Sequence, residues 1–482
     1  MATKRNDLFL PRLICLMKTH ACLISFCLLM VISFSAQHAS AQVQCWLTTH
    51  DGSVKFTRQK DIFFAKAKEA ENRIAIDKNK TFQIMDGFGY TLSGGSATLM
   101  HKMNAEARKK MLAEMFSTSG NNIGISYIRL SIGASDMNAF VYSYDDMPQG
   151  ETDEKLTHFS LAHDDTDVVP VMKEILQINP NIKILGSPWS APVWMKDNGD
   201  TRGGSLKKEY EKVYAQYFVK YVQEMKKRGI TIDAITVQNE PLHPGNNPSM
   251  LMLPEQQRDF IKNSLGPAFR NAGIKTKIIV YDHNLDRIDY PLTILKDPKA
   301  AQYVDGSAFH LYGGVIEDMS KVHDSFPNKN LYFTEQWTDG RKKAIADNLT
   351  WYTKNLVIGA PRNWAKTVLQ WNLANSPDFT PFTDRGGCNI CLGAITIDGD
   401  NVTKEPAYYI IAHASKFIRP GSVRVASNIT GNLQNVAYKT PSGKLVLIVL
   451  NEGEKDEMFT VTSGSQSFDA SLGAGSVATY VW

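Results

Sequence analysis

The chain has 482 residues, 43% hydrophobic and 21% charged, which is ordinary globular material and excludes a largely disordered chain or a coiled coil. Its formal charge of +4 comes from 53 basic and 49 acidic residues intermingled along the chain. There is no Lys/Arg block of the kind that tracks phosphates, so nucleic acid is excluded as the expected partner.

In chain order, Lys4, Arg5, Arg12 and Lys18 precede the apolar run ACLISFCLLMVISFSA (21–36), and Ala39-Ser40-Ala41 supplies the small residues a signal peptidase needs. Residues 1–41 read as a cleavable export signal, which makes the protein secreted or periplasmic/extracellular. An uncleaved anchor is the alternative, but the run is shorter than the roughly 20 apolar residues that cross a bilayer, and no later segment is apolar enough to span one. Of the six cysteines, Cys15, Cys22 and Cys27 leave with the signal, and the mature chain keeps Cys45, Cys388 and Cys391. The pair in GGCNICLG is suited to a small disulfide, Cys388 to Cys391, in an oxidising compartment. A zinc site needs two further ligands at matching spacing, which the sequence does not offer, so neither a metal nor a cofactor is expected.

Past the signal, VQCWLTTHDG and SVKFTR read as strands (residues 42–81), and eight short apolar strands follow. They are IMDGFGYTL (84–92), ISYIRLSI (125–132), IKILGSPW (182–189), AITVQNEP (234–241), KIIVYDHN (277–284), DGSAFHLYG (305–313), LYFTEQWT (331–338) and KTVLQWNLA (366–374). Helical periodicity fills the gaps, as in AEARKKMLAEMF (105–116), KKEYEKVYAQYFVKYVQEMKKRG (207–229) and PEQQRDFIKNSLGPAFRNAG (254–273). Such alternation predicts an α/β fold, a (β/α)8 TIM barrel over 82–412. After 413, LQNVAYKT, KLVLIVLN, MFTVTS and SVATYVW are strands parted by turns, so the two ends of the mature chain are expected to form an attached β-sandwich.

Catalytic groups of such a barrel sit where apolar strands give way to loops at the carboxyl ends. Polar or aromatic residues close several strands here: Arg129 and, shortly after it, Asp136; Trp189; Asn239-Glu240; His310 and Tyr312, which alternate about Leu311; Glu335; and Trp371-Asn372. Carboxylates, amides and aromatics are the chemistry of sugar binding. Breaking a glycosidic bond needs an acid for the leaving oxygen and a carboxylate to meet an oxocarbenium-like carbon. Glu240 and Glu335, on strands four and seven, face each other across a barrel mouth and form the natural pair; the bland alternative is two strand-end ion pairs. Signatures of other chemistries (GxSxG, a phosphate loop, HExxH, a dinucleotide fingerprint) are not found.

SYIRLSIGASDM (126–137), ILGSPWSAPVWMKDNG (184–199), ITVQNEP, HLY, FTEQW and PAYYIIAHASKFIRPGSVRV (406–425) together resemble glycoside hydrolase family 30, the family of lysosomal glucosylceramidase and of bacterial and fungal β-1,6-glucanases. The resemblance implies a barrel joined to a β-sandwich and a retaining double displacement, with Glu240 as acid/base and Glu335 as nucleophile. It also implies a first sugar subsite lined by Arg129, Asp136, Trp189, Asn239, His310, Tyr312 and Trp371. Each role has a physical sense. Asn239 is suited to the sugar 2-hydroxyl, Trp189 and Trp371 to C–H faces, Arg129 to the nucleophile carboxylate and Asp136 to sugar hydroxyls, against alternatives of turn, core, charge neutralisation and surface loop.

The loop after NEP, LHPGNNPSMLM, is poor in aromatics, and DRGGCNICLGAITI after strand eight looks more like the β-1,6-glucanase branch. The expected substrate is therefore a β-glucan, most consistently a β-1,6-glucan, with glucosylceramide or another β-glucoside or xyloside as alternative. A catalytically silent carbohydrate-binding protein is the reading from another class. Trp337 is either a further stacking face or packing under the rim.

Overall fold

The computed structural model describes residues 42–66 and 72–482; the expected signal, residues 1–41, lies outside the described residues. Eight parallel strands close into a barrel in chain order: β1 Gly87–Leu92, β2 Tyr127–Ile132, β3 Lys183–Pro188, β4 Ala234–Thr236, β5 Lys277–Asn284, β6 Val304–His310, β7 Asn330–Glu335 and β8 Ala365–Gln370. β1 to β5 fall inside the segments that hydrophobic patterning selects, and β6, β7 and β8 each begin one residue before theirs. Helices return the chain between them, among them Ala105–Phe116, which Asn104 caps by accepting from the Ala107 N–H, and Glu211–Lys227, which buries Tyr214, Tyr217, Phe218 and Tyr221 against the barrel.

The barrel interior is layered, and two-residue alternation sets the layers. Tyr127, Leu185, Ala234, Ile279, Ala308, Tyr332 and Leu369 form one apolar plug. Two residues further along β2, β3, β4, β6 and β7 come Arg129, Ser187, Thr236, His310 and Thr334, all buried, so the interior turns from apolar to polar within one step of the pleat. β5 reaches the same layer with a different residue. Its pairing with β6 runs Ala308 to Tyr281 and then Phe309 to His283, and Tyr281 and Asp282 have φ of 74° and 69°. This bulge inserts one residue and delivers Asp282 to the polar layer where strict alternation would place Tyr281.

The sandwich joins both ends of the described chain. Strand Gln42–Thr48 pairs with Val477–Val481, which pairs in turn with Leu445–Asn451, and Arg73–Ile84 is laid between Val423–Ser427 and Glu457–Ser463. Strand Leu445–Asn451 is buried on both faces: Leu447 and Val449 join the sandwich core, whereas Val446, Ile448 and Leu450 join the core shared with the barrel helices. Cys45 lies in the sandwich core as a free thiol that burial pushes up to about 12. Among the described residues no helix is long and apolar enough to cross a membrane.

A buried histidine fastens sandwich to barrel. His413, on the last barrel helix Pro406–Ser415, has Nε2 2.8 Å from Thr48 Oγ1 and Nδ1 2.9 Å from Thr479 Oγ1. The Thr479 hydroxyl donates to the His413 carbonyl, so Nδ1 must donate to Thr479 and Nε2 must accept from Thr48, which is the neutral ring. Burial accordingly lowers its pKa from 6.5 to about 3. An unfolded chain takes up this proton near the ordinary value, so the stability contributed is complete above that value and is lost as pH falls toward the folded one, at about 1.4 kcal/mol per pH unit. His413→Gln, which keeps a donor and an acceptor but does not titrate, is expected to lose less melting temperature than wild type between about pH 7 and about pH 4; thermal unfolding followed by circular dichroism checks this.

Candidate active site

All nine candidate residues converge at the carboxyl-terminal mouth of the barrel, around a cleft of 440 Å³ lined in part by Asp136, Trp189, Glu240, Tyr312, Glu335 and Trp371. Glu335 ends β7. Its Oε2 accepts from Arg129 Nη1 at 2.7 Å and its Oε1 from the Tyr312 hydroxyl at 3.0 Å. Glu240 stands four residues past the end of β4, on a turn with φ of 44°, its N–H bound to the Asp282 carbonyl. The regular strand thus stops at Thr236, short of the strand-like run ITVQNEP, and backbone bonds from Asn239 to Pro188 and from Glu240 to Asp282 carry the chain onward. His310 lies between the two acids, with Nδ1 3.1 Å from Glu240 Oε1 and 3.6 Å from Glu335 Oε1. One carboxylate oxygen of Glu240 and one of Glu335 lie within 4.8 Å of each other.

Beneath them Asp282 is the residue that sequence reasoning missed. Its Oδ2 accepts from Arg129 Nη2 (2.9 Å), Ser187 Oγ (2.8 Å) and Thr236 Oγ1 (2.7 Å), and its Oδ1 from Thr334 Oγ1 (2.6 Å) and His310 Nε2 (3.1 Å). These donors come from β2, β3, β4, β7 and β6. The signal was present, since KIIVYDHN closes on polar residues just as its neighbours do. Arg129 also donates to Asn239 Oδ1 at 2.6 Å and lies 4.8 Å from the Trp189 ring centroid.

Tyr312 reaches the site by another route than strand alternation. β6 ends at His310, Leu311 is buried, and the half-exposed Tyr312 enters from the loop after the strand, its N–H held by Asn284 Oδ1. Trp371 follows β8 and meets Trp189 at a ring distance of 5.4 Å, forming with Met137 and Cys391 a small apolar wall. Asn372 turns away: its Oδ1 accepts from the Ser93 and Ser96 hydroxyls. Cys388 and Cys391 are disulfide-bonded and line the cleft with Trp337, whose segment is tied to theirs by pairing of Thr338 with Leu392 and of Asp339 with Cys391.

Charges in this layer interact strongly. Burial, then the charges of Glu335 and Glu240, push Asp136 up to about 8, so it carries a proton at neutral pH and presents an O–H to the cleft. Burial likewise pushes Glu335 up, over the opposing pull of His310 and Arg129. Against its own burial, Glu240 is held down to about 2 by the hydrogen bond and charge of His310. His310 rises to about 9 in spite of burial, through the charge of Glu335 and its bonds to Asp282 and Glu240. Glu240, His310 and Glu335 are near enough to share a metal ion. A protonated His310 cannot ligate one, however, and the Arg129 cation already occupies Glu335 Oε2, so the donor set is one for proton and glycosyl transfer.

Comparison with known proteins agrees with this chemistry. The description "Glycosyl hydrolase family 30 TIM-barrel domain" matches residues 85–418, and "Glycosyl hydrolase family 30 beta sandwich domain" matches residues 421–480. The chain belongs to glycosyl hydrolase family 30 and is a glycoside hydrolase. Endo-1,6-beta-D-glucanase neg1 of Aspergillus fumigatus is 34% identical over 83% of this chain and 85% of its own length. Lysosomal acid glucosylceramidase of Mus musculus is 31% identical over 85% of this chain and 83% of its own. Among solved structures, the endo-beta1,6-glucanase BT3312 superposes with a TM-score of 0.85 at 33% identity, covering 92% of this chain and 99% of that one.

Asp282→Asn removes a buried negative charge that faces Arg129 and His310 while keeping the side chain's shape. The expected result is a kcat/KM on the order of 100-fold lower, from loosened alignment of both glutamates. Its alkaline limb is expected at lower pH than in wild type, because His310 loses one of the charges that raise its pKa. A pH profile of kcat/KM for both forms is the check.

Proposed function

We propose that the protein is an exported endo-β-1,6-glucanase that works by retaining double displacement, with Glu335 as nucleophile and Glu240 as acid/base. The observation that carries the mechanism is the approach of the two carboxylates to within 4.8 Å, which matches the roughly 5 to 5.5 Å separation of retaining enzymes and is too short for the water of an inverting one. The β-1,6 linkage is supported by relatives so named that align over most of both chains. Export is supported by the disulfide between Cys388 and Cys391, a bond of oxidising compartments.

In the first step the Glu335 carboxylate, aimed by Arg129 and Tyr312, attacks the anomeric carbon while Glu240 protonates the departing oxygen. The acid is supplied along an existing hydrogen bond. His310 Nδ1–H lies against Glu240 Oε1, and its proton is held most strongly by the charge on Glu335. As Glu335 becomes an ester that charge vanishes, so the proton moves by way of Glu240 to the leaving oxygen in the moment the bond forms. Glu240, still ionised, then takes a proton from the attacking water and passes it back to His310, and the attack breaks the ester, restores the Glu335 carboxylate and releases the sugar with its configuration retained. Asn239, its oxygen engaged by Arg129, turns its N–H groups to the 2-hydroxyl, and Trp189 and Trp371 face the sugar ring.

The test is a panel of β-linked glucans, glucosylceramide and aryl glucosides with wild type and variants. Reducing sugar released from β-1,6-glucan as a ladder of oligosaccharides supports the reading. Preference for glucosylceramide would favour the other branch, and binding without release would favour the carbohydrate-binding alternative. Glu335→Ala is expected to abolish turnover on every substrate. Glu240→Ala is expected to lower hydrolysis of unactivated substrates by about 100- to 10,000-fold, the usual share of general acid catalysis, and dinitrophenyl glucoside far less. Added azide should then yield the β-glycosyl azide, and an α product or none would overturn the assignment.

A further inference from the structure

The cleft has two chemically different sides. Asp136, Trp189 and Trp371 follow β2, β3 and β8, on one arc of the barrel, and are dominated by indole faces. The other arc supplies His243 and Asn246, on the loop after β4, and His283 and Asn284, at the end of β5; all four line the cleft and none is apolar. Glu240 sits where the arcs meet, and Asn246 Nδ2 lies 3.4 Å from its Oε2. A group leaving through Glu240, away from the indoles, therefore meets the four polar residues.

For three of them the hydrogen-bonding state is set by the protein. The Leu242 N–H points to His283 Nδ1 at 3.4 Å, so this nitrogen accepts and the ring hydrogen sits on Nε2. Burial supports the neutral form by lowering the His283 pKa to about 4. Asn284 spends its Oδ1 on the Tyr312 N–H, which leaves its amide hydrogens for the cleft. Asn246 points an N–H at the acid and keeps Oδ1 as an acceptor. These residues thus offer donors from His283 and Asn284 and an acceptor from Asn246, at fixed positions, and no indole.

We propose that His243, Asn246, His283 and Asn284 form the leaving-group subsite, and that it selects a hydroxyl-bearing sugar over an acyl-chain or other apolar alcohol. This rests on Glu240 being the acid/base. An apolar leaving group would strand these polar groups without partners, which is the strongest way a site rejects a ligand.

The test uses His283→Phe, which keeps a ring without the donor, and Asn284→Asp, which keeps the acceptor for Tyr312 while removing the amide hydrogens. For each, kcat/KM is measured on a β-1,6-linked gluco-oligosaccharide and on 2,4-dinitrophenyl β-glucoside, whose leaving group needs neither protonation nor hydroxyl contacts. The oligosaccharide value is expected to fall at least about tenfold more than the dinitrophenyl value, about 1.4 kcal/mol of lost contact. An equal fall on both would overturn the proposal. A second readout does not depend on linkage: the glycosyl-enzyme formed from the dinitrophenyl substrate is offered glucose or 1-octanol as acceptor. Wild type should transfer to glucose in preference to octanol, and both variants should lose that preference; octanol competing equally in wild type overturns the subsite. If wild type cleaves the dinitrophenyl substrate but no β-1,6-glucan, the linkage reading fails and the acceptor partition still decides this one. If Glu240→Ala slows both substrates equally, the acid/base reading fails instead.

Discussion

A single buried carboxylate organises the mouth of this barrel. Asp282 gathers donors from five other strands, and the price of burying an ion there is offset only because every one of those donors is in place. Arg129 and His310 both lean on it, and each then touches a catalytic candidate: Arg129 reaches Glu335, and His310 reaches both glutamates. Removing the anion would leave a guanidinium fully enclosed with one carboxylate to neutralise it. The polar layer is therefore a cooperative unit in which position and charge are settled together.

That unit explains how two glutamates within 4.8 Å keep different characters. Glu335 is held by a permanent cation and a phenol, groups that favour an anion and aim it. Glu240 faces imidazole and amide, groups that exchange a proton or tolerate its absence. The asymmetry lies in the neighbours, since both acids are buried to a similar degree. Asp136 supplies a third mode: lacking any cation in hydrogen-bond reach, it keeps its proton and meets the cleft as a donor.

Much of this was legible in the chain. Strands such as IKILGSPW and LYFTEQWT announce themselves by apolar runs that end in a polar or aromatic residue, and the barrel turns that ending into a site. Asp282 escaped because its place depends on a bulge, and an inserted residue leaves no mark in a two-residue period. Tyr312 was seen for the wrong reason: alternation past His310 pointed inward, yet its arrival depends on a loop that Asn284 holds. The polar arc of the cleft was hidden too, because His243 and Asn246 belong to a short loop whose path only the packed structure defines. Folding patterns are periodic and local; loop paths arise from long-range contact, and a sequence read segment by segment does not contain them.

The sandwich has a consequence of its own for biosynthesis. Strand Gln42–Thr48 hydrogen-bonds to Val477–Val481, so among the earliest residues of the described chain to leave the ribosome are ones that must wait for nearly the last. The whole barrel emerges in between. The enzyme therefore matures in a set order, with barrel closure possible before translation ends and the two tails stitched together only afterwards. Clipping a handful of residues from the tail would cut a strand at the head, more than four hundred positions away, off from the rest of its sheet.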